Sequence, residues 1–347
     1  MIIKKGDKFI FEETGEVIEP KFQDYKCPED YIRDGIKWLE PMTAQEVGQD
    51  LEEFNQSLDY LAEEKLDGTR ALFHFTDKGI RVFSRRVSKK TNWFVENSDL
   101  LPHIRDWEFP KEYIGTVIDG ELYIPDRPFK DVASTMNCLW NKAIDRQLEL
   151  GFVRLKAFDI LYYKSIKITA MPLYRRKDYL EEVLEAVKCP YIEKIKSFVD
   201  TIVVPLTLPV MKELNKNTLK DRYPVLYKEI QENLQGQVAV LDSKVRLSKQ
   251  AYYEYVVCNG GEGIILKNIK GKYYHRRTKE YLKVKKFLTK DVVIIGYSEP
   301  TMLYEGKTLS EGGTWEYWCD AEDEHNIIIR EYSLKEADDL GLIPVTK

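Results

Sequence analysis

Short runs in which apolar and polar residues alternate fill the first third of the chain and predict strands. Ala71-Leu72-Phe73-His74-Phe75 is one such run, Gly79 to Phe83 is another, and strand-like segments continue to about residue 125. Ahead of them, residues 7–18 read as a short hairpin turning at Thr14-Gly15, and residues 19–43 as irregular chain wrapping the main domain. Thr43 to Leu61 has helical spacing, with Thr43 in the capping position. The helical period returns from Val132 to Leu150, and Leu155 to Tyr163 reads as a strand. Between Pro172 and Val187, Leu173, Leu180, Val183, Leu184 and Val187 fall on one face, which predicts an amphipathic helix. Val203 to Val210 resembles a strand broken by prolines, and residues 211–257 are lysine-rich with helical patches. Gly263 to Asn268, Tyr281 to Phe287 and Val292 to Tyr297 return to strand spacing. There is no internal repeat. The natural boundary lies just after Phe287, where a basic strand gives way to a new apolar one.

Composition narrows the class. A chain of 347 residues, 43% hydrophobic and 32% charged, suits a globular protein of about two domains. The net charge of −5 does not exclude nucleic acid, because binding depends on where the positive charge lies. The five cysteines (Cys27, Cys138, Cys189, Cys258, Cys319) are scattered, without a Cys-x-x-Cys pair, so reduced thiols are expected and a zinc site is not. No signal peptide or apolar run of membrane-spanning length is found, so the expected location is the cytoplasm, or a host's cytoplasm if the chain is viral.

The chemistry begins at Glu63-Glu64-Lys65-Leu66-Asp67-Gly68-Thr69-Arg70. A lysine at a strand end, beside a carboxylate, a permissive glycine and an arginine, is a candidate covalent nucleophile for phosphorus. Its amine must lose a proton to attack, which neighbouring cations and partial burial favour. Alone, Lys-x-Asp-Gly fits a surface turn equally well. Five further segments change that balance: Ser84-Arg85-Arg86, Val117-Ile118-Asp119-Gly120-Glu121-Leu122, Ala157-Phe158-Asp159-Ile160-Leu161, Gly261-Glu262-Gly263-Ile264-Ile265-Leu266-Lys267, and Tyr281-Leu282-Lys283-Val284-Lys285-Lys286.

In order and spacing these segments resemble the nucleotidyltransferase motifs of ATP-dependent DNA ligases, of a compact bacterial or viral type, over about residues 41–297. The resemblance implies an α+β fold: an ATP-grasp-like nucleotidyltransferase domain of antiparallel sheets flanked by helices, then a short or incomplete β OB-fold domain. The implied domains are an N-terminal extension with a hairpin (1–43), the adenylyltransferase domain (44–287) and the OB-fold domain (288–347). It further implies that Lys65 attacks ATP, that the adenylate passes to a DNA 5′-phosphate, and that a 3′-hydroxyl then seals the nick.

The same resemblance distributes roles. Lys65, Asp67, Lys283 and Lys285 are catalytic. Lys283 and Lys285 alternate on one strand and so share a face, where they would contact the α-phosphate and help lower the pKa of Lys65. Glu121 and Glu262 would contact the ribose or Mg²⁺, which needs only one or two carboxylates. Phe158 would stack on adenine, with the apolar pair Ile264/Ile265 over its other face. Glu63, or its neighbour Glu64, would lie at the adenine amino group. Arg70 and Arg85, with Arg86 as alternative, would bind the nucleotide or the nick 5′-phosphate. Residues 267–290 hold ten Lys/Arg against one acidic residue, with Tyr273, Tyr274 and Tyr281 between them, a local footprint for a phosphate backbone. The expected partner is nicked duplex DNA, bound by a monomer.

Two features depart from the pattern. The segments Asp291 to Tyr297, Gly313 to Cys319 and Asn326 to Arg330 look like OB-fold strands, yet only about sixty residues follow Phe287. No Arg-x-Asp-Lys, the family's last motif, is found; either the first step is slow or a divergent element including Arg330 or Lys335 replaces it. NAD-dependent relatives share Lys-Leu-Asp-Gly, but their four-cysteine zinc module is not seen, which favours ATP. Other readings are an RNA ligase, a GTP-using capping enzyme, or a DNA-end-binding protein with reduced catalysis.

Overall fold

Two β-sheets and the helices behind them account for most of the apolar periodicity. The computed structural model describes residues 32–286 apart from 34, 38, 56, 89 and 90, and outside that range the strands Ile2–Lys5, Lys8–Phe11, Val293–Ser298, Leu303–Tyr304, Lys307–Thr308, Thr314–Asp320 and Tyr332–Ser333. The chain divides into two units, Met1–Lys285 and Lys286–Lys347.

In chain order the strands of the first unit's two main sheets are β1 (Thr43–Glu46), β2 (Tyr60–Glu64), β3 (Thr69–Thr76), β4 (Gly79–Ser88), β5 (Trp93–Glu96), β6 (Val117–Tyr123), β7 (Arg154–Tyr163), β8 (Ile166–Lys167), β9 (Ile192–Lys194), β10 (Ser197–Phe198), β11 (Gly263–Asn268) and β12 (Arg277–Lys285). The first sheet runs β8-β7-β6-β3-β4-β5, with β9 added parallel to β7. The second runs β10-β2-β11-β12-β1, antiparallel except for the β12–β1 pair. The helices of eight or more residues are α1 (Phe129–Met136), α2 (Trp140–Leu150), α3 (Leu173–Val187), α4 (Leu208–Asn215), α5 (Pro224–Leu234) and α6 (Lys249–Cys258).

Each sheet has its own core. Ala71, Phe73, Ile118, Leu122, Leu155 and Ile160 of the first pack with Val132, Leu180 and Val183 of the helices. Ala62, Ile264, Leu266 and Val284 of the second pack with Val210, Leu226, Ile230 and Ala251. A third cluster, including Met42, Leu61, Leu72, Leu161, Leu173, Tyr273 and Tyr281, joins residues of both sheets. Burying a side chain such as Leu173 or Leu180 contributes about 1.5–3 kcal/mol.

Charged groups also lie in this interior. Asp119 on β6 and Asp159 on β7 are register partners, and both are fully buried. Arg70 of β3 grips Asp119 through two hydrogen bonds of 2.5 and 2.6 Å, and Tyr273 donates to the same carboxylate at 2.5 Å. Arg176 of α3 grips Asp159 at 2.8 and 2.9 Å, and the Tyr281 hydroxyl donates to it as well. Arg176 also reaches the carbonyls of Met171 and Gly271. The two tyrosines flank or lie on β12, so the aspartates of one sheet fasten the other.

The structure corrects several sequence expectations. Thr43 to Leu61 is not one helix: Thr43 is a strand residue whose N–H bonds the Arg276 carbonyl, a single helical turn follows at Glu52–Asn55, and β2 begins at Tyr60. Edge pairing with β12 overrides helical spacing there. Val203 to Val210 splits into a strand, Ile202–Pro205, and the start of α4, where Pro209 occupies the first turn that needs no N–H donor. Lys8–Phe11 pairs back onto Ile2–Lys5, and residues 12–18 lie outside the described residues. Val132 to Leu150 is two helices. In the second unit, Val293–Ser298, Thr314–Asp320 and Tyr332–Ser333 form a three-stranded antiparallel sheet, and among the described residues no barrel closes. Asn326 to Arg330 and Lys335 lie outside the described residues. No helix among those described is long and apolar enough to cross a membrane.

Because Arg176 keeps its charge at any relevant pH, Asp159→Ala should strand a buried cation and destabilise the protein by about 3–5 kcal/mol. Tyr281→Phe removes one of several partners of Asp159 and should cost about 1 kcal/mol. Urea denaturation of the two variants checks the ordering; equal losses would contradict it.

Candidate active site

β2 belongs to the second sheet and β3 to the first, so the connection Lys65-Leu66-Asp67-Gly68 crosses from one sheet to the other. Gly68 allows the crossing: a Cβ there would sit 2.3 Å from the Leu122 carbonyl oxygen of β6. The Lys65 N–H donates to the Gly263 carbonyl at 2.8 Å, and its ammonium pairs with Glu262. The lysine is thus tied at its backbone and at its tip to the turn that opens β11.

Lys65 faces a cavity of about 580 Å³, within the range of small-ligand sites. The cavity gathers Glu63, Lys65, Asp67, Arg70, Arg85, Glu121, Phe158, Glu262 and Lys283, nine of the ten candidate residues. Lys285 is the exception and is not part of the lining. Both lysines of β12 pair with Glu46 of β1, Lys283 at 2.9 Å and Lys285 at 3.5 Å. Arg85 and Arg86 both line the cavity, so the choice between them stays open.

Burial dominates the carboxylates. Burial pushes the Glu121 carboxyl up to about 7, despite Arg70 and Lys65 nearby. Asp67 is raised by burial and then by the negative charge of Glu262. Glu63 behaves differently. Burial alone would raise it, but Lys177 and Lys267 more than offset that and hold it below the usual carboxylate range. Lys267 Nζ lies 2.6 Å from Glu63, Lys177 pairs with its other oxygen, and the Ser197 hydroxyl donates to that oxygen at 2.6 Å. Burial lowers Lys267 to about 8.

Phe158 is buried with an edge on the cavity. The Lys267 ammonium stands 4.1 Å from its ring centroid and the Arg70 guanidinium 4.4 Å. Of the two isoleucines expected opposite it, strand alternation settles the matter: Ile265 lines the cavity and Ile264 turns into the core. Glu64, the alternative to Glu63, is exposed yet also lines the cavity.

The basic segment 267–286 is not one solvated face. Lys267, Tyr273 and Tyr281 are buried, and Lys270 pairs with Asp59 at 2.6 Å. Lys272, Arg276, Arg277, Lys279 and Lys286 remain exposed. Sequence reasoning missed Glu46, Lys177 and Arg176. Their partners lie on other elements; signals for Arg176 and Lys177 were the family-like helix opening Pro172 to Arg176 and a charged pair interrupting the apolar face of α3.

No group of three His, Cys, Asp or Glu close enough to hold a metal exists among the described residues. The donor set present, oxygen from Glu121 and Glu262, suits Mg²⁺, which takes few protein ligands and keeps its waters. The described cysteines Cys138, Cys189 and Cys258 are free thiols.

The raised Glu121 pKa carries a stability prediction. Between about pH 4.5 and 7 the folded protein holds a proton that the unfolded chain has lost, so folding stability falls as pH rises through that window. Glu121→Gln should remove this part of the slope in thermal melts taken from pH 5 to 8. A slope unchanged by the substitution would place the titration elsewhere.

Residues 41–203 match the model of the ATP dependent DNA ligase domain. Among curated relatives, DNA ligase 4 of Kluyveromyces lactis is 25% identical over 239 residues, 65% of this chain and 21% of that protein. The DNA ligase of Methanococcus aeolicus is 28% identical over 152 residues, 42% of this chain and 25% of that one. The chain spans about a fifth to a quarter of the length of these relatives. A solved structure of a Lig E DNA ligase superposes with a TM-score of 0.49 at 18% identity, covering 85% of this chain and 83% of that one. Residues 41–203 are thus similar to the ATP dependent DNA ligase domain, and the curated relatives that match the chain are DNA ligases.

Proposed function

We propose that this protein is an ATP-dependent DNA ligase that seals 5′-phosphate/3′-hydroxyl nicks in duplex DNA, acting as a monomer in a reducing compartment such as the cytoplasm. The observation that carries the reading is the single cavity in which Lys65, paired with Glu262, meets Glu121, Arg85, Phe158 and Lys283. Lys65 Nζ, once deprotonated, attacks the α-phosphorus of ATP; the P–N bond forms as the bond to pyrophosphate breaks. The adenylate then passes to the DNA 5′-phosphate, releasing the lysine, and the adjacent 3′-hydroxyl displaces AMP. Each step is an in-line displacement, so the protein's contribution is alignment and stabilisation of phosphate charge.

Roles follow from position. Glu262 holds the Lys65 side chain toward the cavity. Lys283 and Arg85 supply positive charge for phosphate oxygens, with Lys285 two residues beyond Lys283 on the same face of β12. Phe158 and Ile265 offer apolar surface for a flat base. Glu63, pinned by Lys177 and Lys267, fixes the strand that enters the nucleophile. Mg²⁺ would be held by Glu121 and Glu262 and would neutralise charge on the departing pyrophosphate. Exposed Arg276, Arg277 and Lys279 suit contacts to a DNA backbone, which orient without reading sequence.

Incubation with α-labelled ATP and Mg²⁺, read on a denaturing gel and chased with nicked DNA, tests the reading. The wild-type protein should carry a label that the nick discharges into sealed product, and Lys65→Ala should show none. GTP or nicked RNA working as well in place of ATP or nicked DNA would redirect the assignment within the superfamily. A label that persists in Lys65→Ala would remove Lys65 as the nucleophile. Reversing the charge of Arg276 and Lys279 should weaken nicked-duplex binding, with a shallower salt dependence in a titration series.

A further inference from the structure

The parallel pairing of β1 with β12 is irregular. Arg277 and Thr278 stand opposite Thr43 and Ala44, but the register then shifts so that Leu282 and Lys283 oppose Gln45 and Glu46. Continued without the shift, the pairing would set Glu46 against Glu280, a like charge. With it, Glu46 faces Lys283, and Lys285, two residues on, points the same way. One carboxylate oxygen, Glu46 Oε2, takes both ammonium groups, at 2.9 and 3.5 Å. The contact to Lys283 holds Glu46 below the usual carboxylate range. Hydrogen bonds to the β12 backbone fix the arrangement, since the Val47 N–H donates to the Lys283 carbonyl and the Gln49 side-chain amide to that of Lys285. Glu46 itself is not part of the cavity lining, whereas Lys283 is.

We propose that Glu46 is a positioning residue that competes with nucleotide phosphate for Lys283 and Lys285, and so sets how tightly the site takes a polyphosphate. The inference rests on the nucleotidyltransferase reading above. A phosphate oxygen arriving at Lys283 must share or replace an existing partner. The pairs are one-quarter to one-third exposed, so the competition is soft and reversible. Tight retention of pyrophosphate would slow a site that must expel it in the first step; a built-in carboxylate competitor shortens that retention.

Titration calorimetry of wild-type protein and Glu46→Gln with inorganic pyrophosphate and with ATP, at low and high salt, tests the idea alongside the KM and saturated rate of adenylylation. Glu46→Gln should bind pyrophosphate about two- to tenfold more tightly at low salt, with the gain shrinking at high salt. The KM for ATP should fall by a similar factor while the saturated rate of adenylylation changes little. Glu46→Asp, which keeps the charge on a shorter arm, should lie between the two, and thermal melts confirm folding. If Glu46 only anchors the β1 edge, both variants will melt earlier and bind pyrophosphate equally or more weakly, which overturns the proposal. A wild-type protein that binds pyrophosphate but forms no covalent adenylate would refute the ligase reading while leaving the Glu46 comparison intact.

Discussion

The structure depends on two buried aspartates that stand side by side on neighbouring strands. Asp119 and Asp159 each receive a bidentate arginine and a tyrosine hydroxyl, and neither carboxylate has access to water. Charges so deep are tolerable only when every lone pair is matched, because an unmatched one carries its full desolvation penalty. The matching groups come from β3, from α3 and from the segment around β12, so satisfying two carboxylates obliges three distant parts of the chain to meet. An apolar contact would hold the sheets together but would tolerate sliding. Directional hydrogen bonds do not, and the cavity lies where the sheets are held.

A second pattern follows within the cavity and its rim. Lys65 pairs with Glu262, Lys283 and Lys285 with Glu46, Lys177 and Lys267 with Glu63, and Arg70 with Asp119. These cations of the cavity and its rim are thus matched to carboxylates of the chain. Such matching keeps the cluster from repelling itself. In the proposed reaction it would also make phosphate binding an exchange of partners.

Much of this was legible in the sequence. The i, i+2 spacing of Lys283 and Lys285 put them on one face, Lys65 and Gly68 marked the crossing, and the strands that bear Glu121 and Phe158, and the one that follows Glu262, were legible as apolar runs. What was hidden depends on partners distant in sequence. Arg176 and Lys177 stand on the face of the helix that carries Leu173 and Leu180, and only the approach of Asp159 and Glu63 makes their burial possible. Glu46 was invisible because a register shift on β12, which no local period encodes, decides what it faces. Thr43 to Leu61 failed for a related reason: its spacing permits a helix, but an available strand edge and a proline-free backbone make pairing the better solution. The basic stretch from Lys267 looked like one patch because charge was counted without regard to burial: Lys267 and Tyr281 turn inward on their strands, and the Tyr273 hydroxyl is drawn in to Asp119.

The double attachment of Lys65 has a mechanical meaning. Its backbone and its ammonium are both moored to the Glu262-Gly263 turn, so the side chain cannot swing on its own; it travels with the second sheet. Glu121 and Phe158 belong to the first. In the proposed reaction, the angle at which the amine would meet phosphorus is therefore set less by the side chain alone than by the spacing of the two sheets, and a motion that parted them would misalign the amine without breaking a bond to it.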